Sequence, residues 1–167
     1  MLKRILLATA LSIGAIAGAS AQTAKGEKTL GPRVGYISEN SSVLAGLSFR
    51  YTFSQHLRIS PAIGCAFRNH DRDALLIDVD MHFPFGLSES GRTALYPLAG
   101  ITFNSWNRHG RVNDVDVSGH ANRFGLNAGA GFDLRCSQSL MLNMEARYCL
   151  VKSYSSFIAT VGISYIF

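Results

Sequence analysis

The last twelve residues, Ser156 to Phe167, constrain this chain more than any other stretch. Phe157, Ala159, Val161, Ile163, Tyr165 and Phe167 fall at every second position, while Ser156, Thr160, Gly162 and Ser164 dominate the positions between. Side chains alternate with period two along a β-strand, so this segment is a strand with one apolar and one small polar face, running to the final carboxylate. Seven earlier segments repeat the pattern between turn residues. The alternation predicts strands at about 30–38, 43–53, 57–68, 74–83, 94–106, 122–135, 139–151 and 156–167.

Written out over all eight, the apolar face occupies 44 positions and none is charged, where the chain's 16% charged content leads one to expect about seven. The opposite face carries Arg33, Arg50, Arg58, Arg68, Asp78, Asp80, His82, Arg123, Asn127, Asp133, Arg135, Asn143, Glu145 and Arg147, with glycines between them. Two closed barrels fit. A soluble, lipocalin-like binder turns its apolar face inward, and a membrane barrel turns it outward. Three features favour the membrane. All four lysines (Lys3, Lys25, Lys28, Lys152) lie outside the predicted strands, whereas a solvated face is usually rich in Lys and Glu. Glycine suits a crowded lumen. The aromatics gather near strand ends, Phe53, Phe83, Phe132, Tyr165 and Phe167 at one rim and Tyr36, Phe67, Phe103, Phe124, Tyr148 and Phe157 towards the other, as interfacial girdles do. Nothing after Gln22 is apolar for the length of a helical span, so a closed barrel is the one way to satisfy this backbone in lipid.

Residues 1–21 read as a secretory signal: Lys3 and Arg4, an apolar run from Ile5 to Ala17, then Ala19-Ser20-Ala21. The remaining 22–167 form one domain, and loss of Lys3 and Arg4 lowers the formal charge from +5 to +3, too little to imply a nucleic-acid partner. With both termini on the periplasmic side, the external loops are Glu39–Ser42, Asn69–Asp73, about Asn107–Ala121, and Lys152–Ser155. Pro32, Pro61 and Pro97 fall inside predicted strands, where a missing N–H predicts local bulges or unpaired rim residues.

The chain resembles the small eight-stranded bacterial outer-membrane proteins, of the type of outer-membrane protein X and the membrane domain of outer-membrane protein A. In particular it is similar to the porin-like outer membrane β-barrel domain family of the Bacteroidota. The matching stretches are Gly31-Pro-Arg-Val-Gly-Tyr-Ile-Ser38, Tyr96-Pro-Leu-Ala-Gly-Ile-Thr102 and the last strand. The resemblance implies an all-β, eight-stranded antiparallel up-and-down transmembrane barrel in the bacterial outer membrane, in contact with outer-membrane lipid and lipopolysaccharide. It also implies that Val161, Ile163, Tyr165 and Phe167 form the C-terminal signal read by the barrel assembly machinery. It names no external ligand, because such barrels host adhesins, enzymes, pores and scaffolds alike.

The chemistry-bearing residues are then weighed against that fold. Arg33, Arg50, Arg58, Asp78, Asp80, His82, Arg123, Asp133, Glu145 and Arg147 are expected to meet in the lumen as a charge network. Buried charge without a partner is expensive, so a plug of ion pairs is expected rather than a gated pore. His109, Asp114, Asp116 and His120 match no closed metal spacing. Asp116, Ser118 and His120 are a poor hydrolytic triad, and the strand-end motif of lipid A-modifying relatives is absent. Three cysteines, Cys65 facing lipid, Cys136 at a turn and Cys149 inward, predict free thiols, and Trp106 reads as an interfacial anchor. The expectation is a non-enzymatic envelope or surface-interaction barrel without cofactor or metal. A small passive pore and a lipid A-modifying hydrolase are the alternatives.

Overall fold

The computed structural model describes residues 24–39, 41–69, 72–87, 91–112, 115–151 and 155–167. The signal segment at 1–21 therefore lies outside the described residues. Among those described, the chain forms nine β-strands and no helix. These are β1 (Lys28–Ile37), β2 (Ser42–Ser54), β3 (Leu57–Asn69), β4 (Arg72–His82), β5 (Phe85–Gly86), β6 (Thr93–Val112), β7 (Val115–Arg135), β8 (Leu140–Val151) and β9 (Ser156–Ile166). Every neighbouring pair is antiparallel. Because β1 pairs with β9 and β4 with β6, eight strands close into a ring, and β5 is a two-residue stub on β6. Closure removes the free edges that an open sheet would present to lipid. At the seam, Lys28 N–H donates to Phe167 O at 3.2 Å and Phe167 N–H donates to Lys28 O at 2.9 Å.

The wall is inverted relative to a soluble barrel. Val34, Ile63, Ile101, Leu126, Val161 and Ile163 are each 46–59% exposed on the outside, whereas Arg33, Asp78, Asn127, Arg147 and Thr160 are buried inside. None of the 44 positions assigned to the apolar face is buried. A water-facing apolar surface of that extent would be an aggregation liability. The lipocalin-like alternative is thereby overturned: the cylinder is polar within and greasy without.

One sequence expectation needs correction, and another is resolved between its two alternatives. The predicted loop at 107–121 is mostly a hairpin, in which β6 and β7 stay paired out to Val112↔Val115. β8 leaves β7 at Gly125↔Val151, so the hairpin projects past the wall at the end opposite the termini. Polar residues on both faces hide such a ribbon from an argument based on one apolar face. At the prolines, where bulges or unpaired residues were expected, the ladders show unpaired gaps and no bulge. The β1–β9 ladder skips Gly31 and Pro32, the β2–β3 ladder skips the pairs at Pro61 and Ser60, and the β4–β6 ladder ends at Leu98, beside Pro97. Register is unchanged across the first two gaps, and Phe85↔Leu95 keeps the same register beyond the third. Pro32 and Pro61 each drop out of one ladder and stay in the other, Pro32↔Leu47 and Pro61↔Val79, while Pro97 pairs with Ala130 and still accepts from Phe83 N–H at 3.1 Å. The register shifts that do occur lie at Thr52/Ser54 and Ala66/Asn69.

Candidate functional site in the barrel lumen

An eight-stranded barrel leaves an interior just wide enough for side chains, so inward residues from opposite walls meet. Here they meet in three layers. The middle layer is built on β4, whose alternation places Asp78 and Asp80 inward. Arg33 of β1 donates through Nη2 to Asp78 Oδ2 at 2.9 Å. Arg147 of β8 reaches both acids, Nη2 to Asp78 Oδ2 at 2.5 Å and Nη1 to Asp80 Oδ2 at 2.8 Å. The remaining oxygens are held by neutral donors: Thr102 Oγ1 donates to Asp78 Oδ1 at 2.7 Å and Asn127 Nδ2 donates to Asp80 Oδ1 at 2.9 Å.

The second layer lies nearer the end that carries the termini. Arg50 of β2 donates through Nη1 to Asp133 Oδ1 at 3.0 Å and through Nη2 to Glu145 Oε1 at 2.7 Å. Arg58 Nη1 sits 2.8 Å from Asp133 Oδ2, and its Nη2 lies 3.2 Å from His82 Nδ1, which must accept because a guanidinium only donates. Tyr96 completes the layer. Its hydroxyl donates to Glu145 Oε1 at 3.0 Å, His82 stacks on its ring at 4.5 Å and 16°, and the Arg58 guanidinium lies over the ring at 4.7 Å. Gly131 faces Tyr96 across the β6–β7 ladder, and a Cβ there would overlap the ring. Counted together, Arg33, Arg50, Arg58 and Arg147 face Asp78, Asp80, Asp133 and Glu145, four of each sign, and every one of the eight has an opposite charge within 3.0 Å.

The third layer was not foreseen. Towards the end opposite the termini the lumen is apolar, filled by Ile37, Leu44, Leu76, Trp106, Val151 and Ile158 with Cys149 among them. Trp106 is only 5% exposed, so it is an interior residue and not the interfacial anchor expected of a lone tryptophan. Asn104 Nδ2 donates to Cys149 Sγ at 3.7 Å where this layer meets the charges. Arg72 and Glu39 pair at 3.8 Å at the same end of the barrel. Apolar periodicity identifies lipid-facing residues, and these inward apolar side chains sit on the other phase of the same strands. The one available cue was position: Leu44, Leu76 and Ile158 each fall between two residues of the outward set, and Ile37 directly follows one.

Arg123 does not join the network. It is exposed, on the part of β7 that precedes the start of the β7–β8 ladder at Gly125. Of the residues weighed for chemistry at 107–121, Asp114 lies outside the described residues, as do the side chains of His109, Asp116 and Ser118. Asp116, Ser118 and His120 are alternate positions of the single strand β7, about 6.6 Å apart along it. His120 Nδ1 lies 2.5 Å from Asn107 Oδ1. Among the described residues no three His, Cys, Asp or Glu side chains converge as a metal site. Cys65 is exposed on the outer wall, Cys136 is exposed at the β7–β8 turn and Cys149 is buried; all three are free thiols.

A closed antiparallel barrel, apolar outside and ionic inside, defines an integral outer-membrane barrel protein. The sequence agrees. The model of the outer membrane protein beta-barrel domain matches residues 7–167, and the chain belongs to that family. Its location is the bacterial outer membrane. No curated protein matches the sequence. The N-terminal β-barrel domain of Pseudomonas aeruginosa OprF is similar in fold, with a TM-score of 0.69 at 15% identity over 86% of this chain and 98% of that one. So is Ail, the attachment invasion locus protein of Yersinia pestis, with a TM-score of 0.62 at 17% identity over 86% of this chain and 100% of that one. The outer membrane protein OprG of Pseudomonas aeruginosa gives a TM-score of 0.60 at 12% identity over 86% and 96%. At such identities the likeness concerns the fold.

Proposed function

We propose that this protein is a non-enzymatic envelope barrel with an occluded lumen, which works through the surface it presents at the projecting β6–β7 hairpin. The observation that carries the reading is the lumen's charge balance. Among the described residues four guanidinium groups and four carboxylates, all buried, engage one another, and none of these eight is left unpaired to attract a permeating ion. A pore of this width needs loosely held charges that an ion can displace. Alternate positions of one strand are too widely spaced for a hydrolytic triad, which argues against lipid A chemistry at Asp116, Ser118 and His120. Purified protein in planar bilayers is expected to show no steady current above the lipid background. Steady current would favour the small passive pore instead.

The last strand has a second role in this reading. Val161, Ile163 and Tyr165 on β9, the strand that closes the ring against β1, and Phe167 just beyond its end stand exposed in a row. We assign them as the signal recognised by the barrel assembly machinery, with outer-membrane lipid and lipopolysaccharide as the surroundings of the finished wall. Deleting Phe167 is expected to reduce the fraction assembled in cells while leaving spontaneous folding into detergent micelles intact. Equal loss in both settings would make Phe167 a stability element and not a signal.

A further inference from the structure

We infer that the barrier to water and ions is the apolar layer around Trp106, and not the charge network beneath it; this deepens the closed-lumen reading above and rests on it. The two kinds of layer differ in what they offer a water molecule. Within the charged layers the Nε atoms of Arg33, Arg50, Arg58 and Arg147 and Nε2 of His82 are buried and make no hydrogen bond within the protein. Buried donors are almost always satisfied, so these layers have an affinity for water. Their pairing is also shared. Asp78 serves both Arg33 and Arg147, and Asp133 serves both Arg50 and Arg58. Shared partners let contacts exchange one at a time without stranding a charge, so this region can admit solvent while staying neutral.

The apolar layer offers no such exchange. Ile37, Leu44, Leu76, Trp106, Val151 and Ile158 come from β1, β2, β4, β6, β8 and β9, and Ala66 adds β3, so the layer spans nearly the whole circumference. Each of the six is at most 5% exposed. A constriction of this kind excludes water by dewetting: beyond the Trp106 indole N–H and the Cys149 thiol its lining is apolar, so entering water would give up more hydrogen bonds than it could make. Trp106 is the bulkiest of the six and stands beside Ala74 and Ala121 in the ladders, so neither ladder neighbour can fill the volume it leaves.

The test compares three full-length proteins in planar bilayers: wild type, Trp106→Ala, and the neutral pair Arg33→Gln with Asp78→Asn. The expected result is discrete current steps from Trp106→Ala alone. A thiol readout accompanies it in a Cys65→Ser, Cys136→Ser background, where Cys149 should stay silent to a small cationic methanethiosulfonate in wild type and in the neutral pair, and react in Trp106→Ala. If Trp106→Ala fails to give the folded mobility of an unheated gel sample, Leu44→Ala takes its place. Current and labelling from the neutral pair, from both variants, or from neither would overturn the assignment of the barrier to this layer. Steady current from wild type is a different failure, since it removes the closed lumen itself.

Discussion

The two faces of the wall are built from alternate residues of the same strands, yet they obey different rules. Outward residues meet a fluid, isotropic solvent. Val161 or Ile101 needs only to be apolar, and no other residue must match it. Inward residues meet one another. Arg33 is tied to Asp78 across 45 positions of chain, and Arg50 to Glu145 across 95. An inward side chain is therefore specified by identity and geometry, an outward one by class. The inside should be intolerant of loss, and the outside intolerant only of charge.

The largest effect should come from removing a shared lumen partner. Arg147→Ala leaves Asp80 with Asn127 and leaves Asp78 relying on Arg33. An uncompensated buried charge costs about 3–5 kcal/mol. Urea unfolding in lipid vesicles, followed by the fluorescence of the single tryptophan, should show a midpoint lowered accordingly. A midpoint within error of wild type would mean that the ion pairs contribute nothing specific. Next in size is the violation of the outer rule. Val161→Arg places a guanidinium near the middle of the lipid face, at about 2–4 kcal/mol, while its inward neighbour Thr160→Ser keeps its hydroxyl and should be tolerated. Normal accumulation of both variants in the outer membrane would reverse the assignment of faces.

This difference in rules also decides what could be read in the chain before its fold was known. The outer face was legible because each residue carries its own information: a run of alternating apolar positions without charge identifies the strand and its phase together. The inward phase of Arg33, Arg50, Arg58, Asp78, Asp80, Asp133, Glu145 and Arg147 followed from the same count. Their partners did not, because pairing Arg50 with Glu145 depends on how the closed ring brings β2 opposite β8. Tyr96 was hidden by its flanks. Leu95, Pro97 and Leu98 are apolar too, so the phase of the segment was plain but the role of its hydroxyl was not. Ile37, Leu44 and Trp106 were hidden because period-two reasoning associates apolar character with lipid. The ends of β6 and β7 escaped because a solvated hairpin has no apolar face to show.

The finest comparison adds carbon to neighbouring residues on either side of one strand. Gly131 faces inward on β7 and Ala130 faces outward beside it. A methyl on Gly131 must displace the Tyr96 ring, which is pinned between Arg58 and His82 and bonded to Glu145. Overpacking of a filled interior costs about 1–3 kcal/mol, so Gly131→Ala should unfold at distinctly lower urea. Ala130→Val adds two carbons to the lipid side, where acyl chains move aside, and should change stability by no more than about 0.5 kcal/mol. Because the sites are adjacent, strand pairing and depth in the membrane are nearly held constant, and only the neighbour of the added atoms differs. Equal destabilisation by both would show that the lumen is as yielding as lipid at this level, and that Tyr96 has room to move which its contacts do not suggest.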